Sequence, residues 1–98
     1  SIYATARGAG NALTKSLSLE LAPHNIQINA VASNYIENPT YFPPELLANE
    51  AAMAKMLKNI PMKRLGQPSE VAALIAFLVS GQCTFMTGHV LPVAGGWA

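Results

Sequence analysis

Ile26-Gln27-Ile28-Asn29-Ala30-Val31-Ala32-Ser33-Asn34 is the stretch on which the fold turns. Ile26, Ile28 and Ala30 alternate with Gln27, Asn29 and Val31, and β-branched residues are frequent. A period of two predicts a strand from Ile26 to Ala32 that ends at Ser33-Asn34. Before it, Leu13, Leu17 and Leu21 recur at helical spacing, so a helix is predicted from Tyr3 to Leu21, closed by Pro23. Its first half is small: Ala4, Ala6, Gly8, Ala9, Gly10 and Ala12 leave room for close approach, and packing is expected to offset the two glycines, each costing about 1 kcal/mol in a helix. After the strand, Asn34 to Pro44 holds three prolines and three aromatics and is expected to be irregular. Pro44 can then start a helix running to Lys58 with Leu46, Leu47, Met53, Met56 and Leu57 near one face, stopped by Pro61. Gly66-Gln-Pro-Ser-Glu begins another, whose apolar stripe is Val71, Leu74, Ile75 and Leu78 and whose end lies near Ser80-Gly81. A last strand is expected from His89 to Val93.

Two strands far apart in sequence with helices between them suit a parallel crossover in an α/β sheet. Two strands do not make a stable sheet alone. The chain is therefore expected to be the C-terminal part of a doubly wound, Rossmann-like parallel-sheet domain, all 98 residues belonging to that one domain. Its N-terminal part would supply further parallel strands beside Ile26–Ala32, and residues 1–98 by themselves are not expected to fold.

The composition narrows the function. Hydrophobic residues make up 51% and charged residues 11%, which excludes a disordered chain. The longest apolar run, Val71 to Val79, is too short to span a bilayer. A net charge of +1 gives no footprint for nucleic acid or an anionic membrane. The single cysteine, Cys83, fits a reducing, cytoplasmic setting, and one Cys with two distant His, His24 and His89, cannot build a metal site.

Tyr3 and Arg7 are four apart on the first helix, so they share a face with Cβ atoms about 5 to 6 Å apart. A permanent guanidinium charge beside a phenol favours the phenolate, and Tyr can then serve as a general base nearer neutral pH. Alone, the pair reads far more readily as a surface contact or stem packing than as a catalytic pair. Context is supplied by Tyr3 at a helix start, the small residues Ala4 to Ala12, Ile-Gln-Ile-Asn-Ala-Val-Ala, Arg64-Leu-Gly-Gln-Pro-Ser-Glu-Val and Thr87-Gly-His-Val-Leu-Pro-Val-Ala-Gly-Gly. Together these resemble the C-terminal part of the short-chain dehydrogenase/reductase superfamily.

Where that superfamily normally has Lys four residues after Tyr, holding the nicotinamide ribose, this chain has Arg7. Where it has Pro-Gly after the strand, this chain has Ser33-Asn34. Where it carries a cofactor-holding Thr shortly afterwards, this chain has Asn38-Pro39. These departures are similar to the halohydrin dehalogenase branch, although that branch commonly has Pro at the position of Ser33. The resemblance implies a cofactor-independent lyase that converts vicinal halohydrins to epoxides with release of halide, and in reverse opens epoxides with small anions. It implies a Ser-Tyr-Arg triad of which Tyr3 and Arg7 are present and the Ser lies outside this chain. It also implies a halide nest at Asn34 and the amides of Tyr35 and Ile36, walled by Tyr41 or Phe42, with no cofactor, no metal, and a homotetramer built partly through the first helix.

Two other readings stay open: an NAD(P)-dependent oxidoreductase with Arg in the Lys position, and a non-catalytic assembly fragment. Gly8-Ala-Gly10 lacks the third glycine and preceding strand of a dinucleotide fingerprint and reads as helix packing. Tyr35, Tyr41 and Phe42 read alternatively as loop anchors over the core. His24 reads as a turn residue, and His89 as a partly buried one at a strand start. Cys83 and the methionines Met53, Met56 and Met62 read as packing residues. The missing Asp in Ala94-Gly-Gly, common in the superfamily, has no functional reading here.

Overall fold

The computed structural model describes residues 1–97, arranged as two compact units whose division falls within both strands. The first unit is Ser1–Val31 with Phe77–Leu91. The helix α1 (Ile2–Leu21) starts on a capping hydroxyl: the Ser1 side chain accepts from the Ala4 amide at 3.2 Å, satisfying one of the donors a helix start leaves over. At the other end the chain tightens into a 3-10 turn, Ala22–His24, holding Pro23, and Asn25 adopts a left-handed φ of 59°. Asparagine is among the few side chains that take this conformation readily, so Pro23 and Asn25 together stop the helix.

β1 (Ala30–Ser33) and β2 (Val90–Val93) form a two-stranded sheet. The Ala30 amide donates to the His89 carbonyl (2.8 Å) and the Asn34 amide to the Val93 carbonyl (3.1 Å). Both residue numbers advance by four between these bonds, so the strands run parallel, as the long helical crossover between them requires. β1 is shorter than the predicted Ile26–Ala32. Over Ile26–Asn29 the ladder is replaced by side-chain bonds: Thr87 Oγ1 accepts from the Ile28 amide (3.0 Å), Asn29 Oδ1 accepts from the His89 amide (3.0 Å), and the Gln27 side-chain amide donates to the Cys83 and Met86 carbonyls. The Gly88 amide still donates to the Ile28 carbonyl (2.7 Å). Opposite this stretch the chain turns at Gly88, φ 78°, instead of extending.

The second unit is 32–76 with residues from Pro92 onward. It contains α2 (Pro44–Leu47), α3 (Glu50–Leu57) and most of α4 (Pro68–Leu78). Pro44 opens α2 as expected, but the predicted helix to Lys58 is broken. Asn49 leaves the helical region at ψ 97° and its side chain accepts from the Ala52 amide (3.1 Å), so it caps α3 rather than continuing α2. Met53, Met56 and Leu57 lie half-buried along α3, and Val71, Leu74 and Leu78 along α4, whereas Ile75 is exposed.

Burial is sparse. Among the described residues the buried ones are Ile60 and Leu65 in the second unit and Ser18 in the first. Phe85, Ile2, Leu19 and Val79 are all at least 78% exposed. Among the described residues, apart from the chain neighbours and the helix backbone, no atom lies within 4 Å of where a Cβ would stand on Gly8 or Gly10.

Candidate active site

In the first unit, the helical spacing brings Tyr3 and Arg7 together. Arg7 Nε donates to Tyr3 Oη at 3.2 Å, and the guanidinium carbon lies 5.4 Å from the ring centroid. The charge therefore bears on both the phenol oxygen and the ring face. Tyr3 is 67% exposed, so its oxygen is open to a reacting group. The neighbouring hydroxyls are committed to the helix start: Ser1 caps it, and Thr5 Oγ1 donates to the Ser1 carbonyl at 2.8 Å.

In the second unit, Asn34 to Phe42 forms two local turns. Tyr35 takes φ 56°, a region that side-chain-bearing residues seldom occupy. Its amide donates to the adjacent Asn34 Oδ1 at 2.9 Å. Ile36 forms a parallel bridge with Gly66, in which the Gly66 amide donates to the Tyr35 carbonyl (2.9 Å) and the Glu37 amide to the Gly66 carbonyl (2.8 Å). The N–H of Ile36 is not used in that bridge. Further on, Asn38 Oδ1 accepts from the Thr40 and Tyr41 amides (3.1 and 2.9 Å), turning the chain back on itself.

Asn34, Tyr35 and Ile36 wall a cavity of about 100 Å³ together with Arg64, Glu70 and Gly95. Phe42 instead lines a second, wider recess of about 310 Å³ with Glu37, Pro39, Leu47 and Gln67. Tyr41 lines neither and is 72% exposed, because the Asn38 turn carries it outward. Neither Tyr41 nor Phe42 lines the cavity walled by Asn34–Ile36. The ring near these residues is Trp97, edge-on to Tyr35 with centroids 5.7 Å apart and planes at 87°.

Sequence reasoning used Arg64-Leu-Gly-Gln-Pro-Ser-Glu only as a signature and missed its chemistry. Arg64 Nη1 and Nη2 donate to Glu70 Oε1 and Oε2 at 2.7 and 2.9 Å, a two-pronged ion pair. Glu70 Oε1 also accepts from the Gln67 amide (3.0 Å) at the start of α4. The guanidinium hydrogen bond, then the backbone donor, lower the Glu70 carboxyl from 4.5 to about 2, and the same bond raises Arg64 above its ordinary value. A carboxyl lowered on folding stabilises the folded state above its unfolded value, and that contribution is lost as pH falls toward 2. Both side chains are about half exposed, so the effect is modest. The stability advantage of the wild-type protein over Glu70→Gln should be full above about pH 5 and vanish near pH 2, as read by denaturant unfolding at each pH.

Among the described residues no group of His, Cys, Asp or Glu could hold a metal ion, and no helix is long and apolar enough to cross a membrane. Cys83 Sγ lies 3.5 Å from Met86 Sδ.

Parallel strands joined through helices define an α/β protein with a Rossmann-like fold. The chain belongs to the short-chain dehydrogenase/reductase superfamily: the family model described as enoyl-(acyl carrier protein) reductase matches residues 1–98. Galactitol 2-dehydrogenase of Rhizobium johnstonii is 41% identical over 95 residues, which cover 97% of this chain and 36% of that protein. A solved structure described as a dehalogenation enzyme is 59% identical with a TM-score of 0.90, over 98% of this chain and 39% of that one. A 4-hydroxyisoleucine dehydrogenase complexed with NADH is 28% identical with a TM-score of 0.87, over 98% and 39%. The chain thus spans little more than a third of the length of these relatives.

Proposed function

We propose that the complete protein is a cofactor-independent lyase that converts vicinal halohydrins to epoxides and halide. The observation that carries this reading is the guanidinium of Arg7 on the phenol oxygen of Tyr3, at the position where the family resemblance implies Lys in dehydrogenases. The 59% identity to a dehalogenation enzyme supports it. In this reading Tyr3, hydrogen-bonded by Arg7, acts as the base that takes the substrate hydroxyl proton. The resulting oxygen attacks the neighbouring carbon; a C–O bond forms, the carbon–halogen bond breaks, and its electron pair leaves with the halide. A Ser from the N-terminal part of the protein holds the substrate oxygen. Asn34 and the amides of Tyr35 and Ile36 receive the halide as charge develops on it. The Ile36 N–H serves directly, whereas the Tyr35 N–H serves once Asn34 Oδ1 yields it. Assembly into a homotetramer is proposed through α1, whose Ile2 and Leu19 are exposed.

The second reading is an NAD(P)-dependent oxidoreductase, favoured by the dehydrogenases among the relatives. The two separate in one experiment on the complete protein, which titrates NADH and NADPH by fluorescence and measures halide release without nucleotide. Halide release with no saturable nucleotide binding supports the lyase. Saturable binding without halide release supports the oxidoreductase.

A further inference from the structure

The segment 64–70 is closed on itself. Arg64 grips Glu70 with both Nη atoms and also donates to the Leu65 carbonyl (3.1 Å), while Glu70 Oε1 receives the Gln67 amide. Leu65, inside this closed segment, is buried. Gly66 is the point at which it meets the 35–37 backbone, by one bond in each direction, and Gln67 Nε2 adds a third tie to Glu37 Oε2 at 2.7 Å. A Cβ on Gly66 would lie 2.7 Å from Ile36 Cδ1, the movable end of a side chain, and 3.9 Å from the Tyr35 carbonyl oxygen. These ties act on a backbone that needs them, because Tyr35 sits at φ 56° and does not hold that conformation by local preference.

We infer that Arg64 and Glu70 are positioning residues for the anion-binding loop, fixing the Tyr35–Glu37 backbone through the Gly66 bridge and so setting how tightly the loop holds a small anion. The inference rests on the proposed role of Asn34–Ile36. Neither side chain needs to touch the anion. Arg64 spends its two Nη atoms on Glu70, and what reaches the loop is geometry: a fork that a single point charge does not reproduce. The pair and the loop wall the same cavity, so movement of one is felt by the other without an intervening layer. A purely structural role, as a cap for α4 alone, would stop at Gln67 and leave residues 35–37 undisturbed.

The test compares the complete wild-type protein with Glu70→Gln and with Arg64→Lys. One measurement is amide hydrogen exchange at Glu37 and Gly66, with α1 amides as the internal reference. The other is chloride binding, read from the broadening of the quadrupolar chloride NMR line, which needs no turnover. Both variants are expected to speed exchange at Glu37 and Gly66 and to weaken chloride binding, each about tenfold, the loss of one charge-assisted hydrogen bond. Exchange that quickens only in the first turn of α4, or chloride binding unchanged in both variants, would overturn the inference. Failure of the lyase reading shows separately, as a wild-type protein that binds chloride but releases no halide from a halohydrin.

Discussion

Phenylalanine in place of Tyr3 is expected to lower halide release by the complete protein by about 10²–10⁴-fold, the usual contribution of a positioned general base. The substitution removes the oxygen and little else. Tyr3 is largely exposed and its hydroxyl accepts from Arg7, so α1 keeps its Ser1 cap and its backbone ladder. Stability should therefore be nearly unchanged while kcat falls. Arg7→Gln separates the two members of the pair. It leaves the phenol in place but removes the guanidinium that donates to Tyr3 Oη, so halide release is expected to fall by about tenfold or more with the fold retained. Undiminished halide release would assign Arg7 a different role.

Alanine at Gly88 is expected to destabilise the complete protein by about 2–4 kcal/mol, through a strained φ together with overpacking. Gly88 has φ 78°, and a Cβ there would stand 2.6 Å from Ser18 Oγ and 3.3 Å from Ser18 Cβ. Ser18 cannot move aside cheaply: it is the buried residue of α1, and its hydroxyl donates to the Lys15 carbonyl at 2.7 Å. The double variant Gly88→Ala, Ser18→Ala should regain the part due to the hydroxyl and keep the part due to the backbone, so the cycle should be non-additive. Denaturant unfolding of the four proteins measures it. A Gly88→Ala midpoint equal to wild type would refute the packing described for this turn.

What could be read in the sequence was what is local. Tyr3 and Arg7 meet because residues four apart on a helix always do, and α4 begins at Pro68 because proline and an early glutamate are helix-start signals wherever they occur. The first half of the predicted strand failed for a non-local reason: Thr87 and the Asn29 side chain supply bonds that a ladder would otherwise make, across nearly sixty residues of sequence. Asn49 was ambiguous, since asparagine serves either inside a weak helix or as a cap, and the backbone chose the cap. The turn that Asn38 folds around the Thr40 and Tyr41 amides carries no periodic signal, because asparagine makes it with its own side chain. Arg64 and Glu70 carry no periodic signal, because they pair across a turn rather than along an element. The Ala94-Gly-Gly segment acquires a physical reason only in three dimensions: Gly95 and Gly96 have φ of 62° and 92°, and Cβ atoms there would meet Ile60 Cγ2 at 2.8 Å and Pro61 Cβ at 3.0 Å.

The most direct measurement is the product balance of the complete protein acting on a small vicinal halohydrin with no nicotinamide present. The account predicts that halide and epoxide appear in equal amounts, each turnover also yielding a proton, and that Tyr3→Phe suppresses both products together. Absence of halide release by the wild-type protein, or release that Tyr3→Phe leaves undiminished, would contradict it.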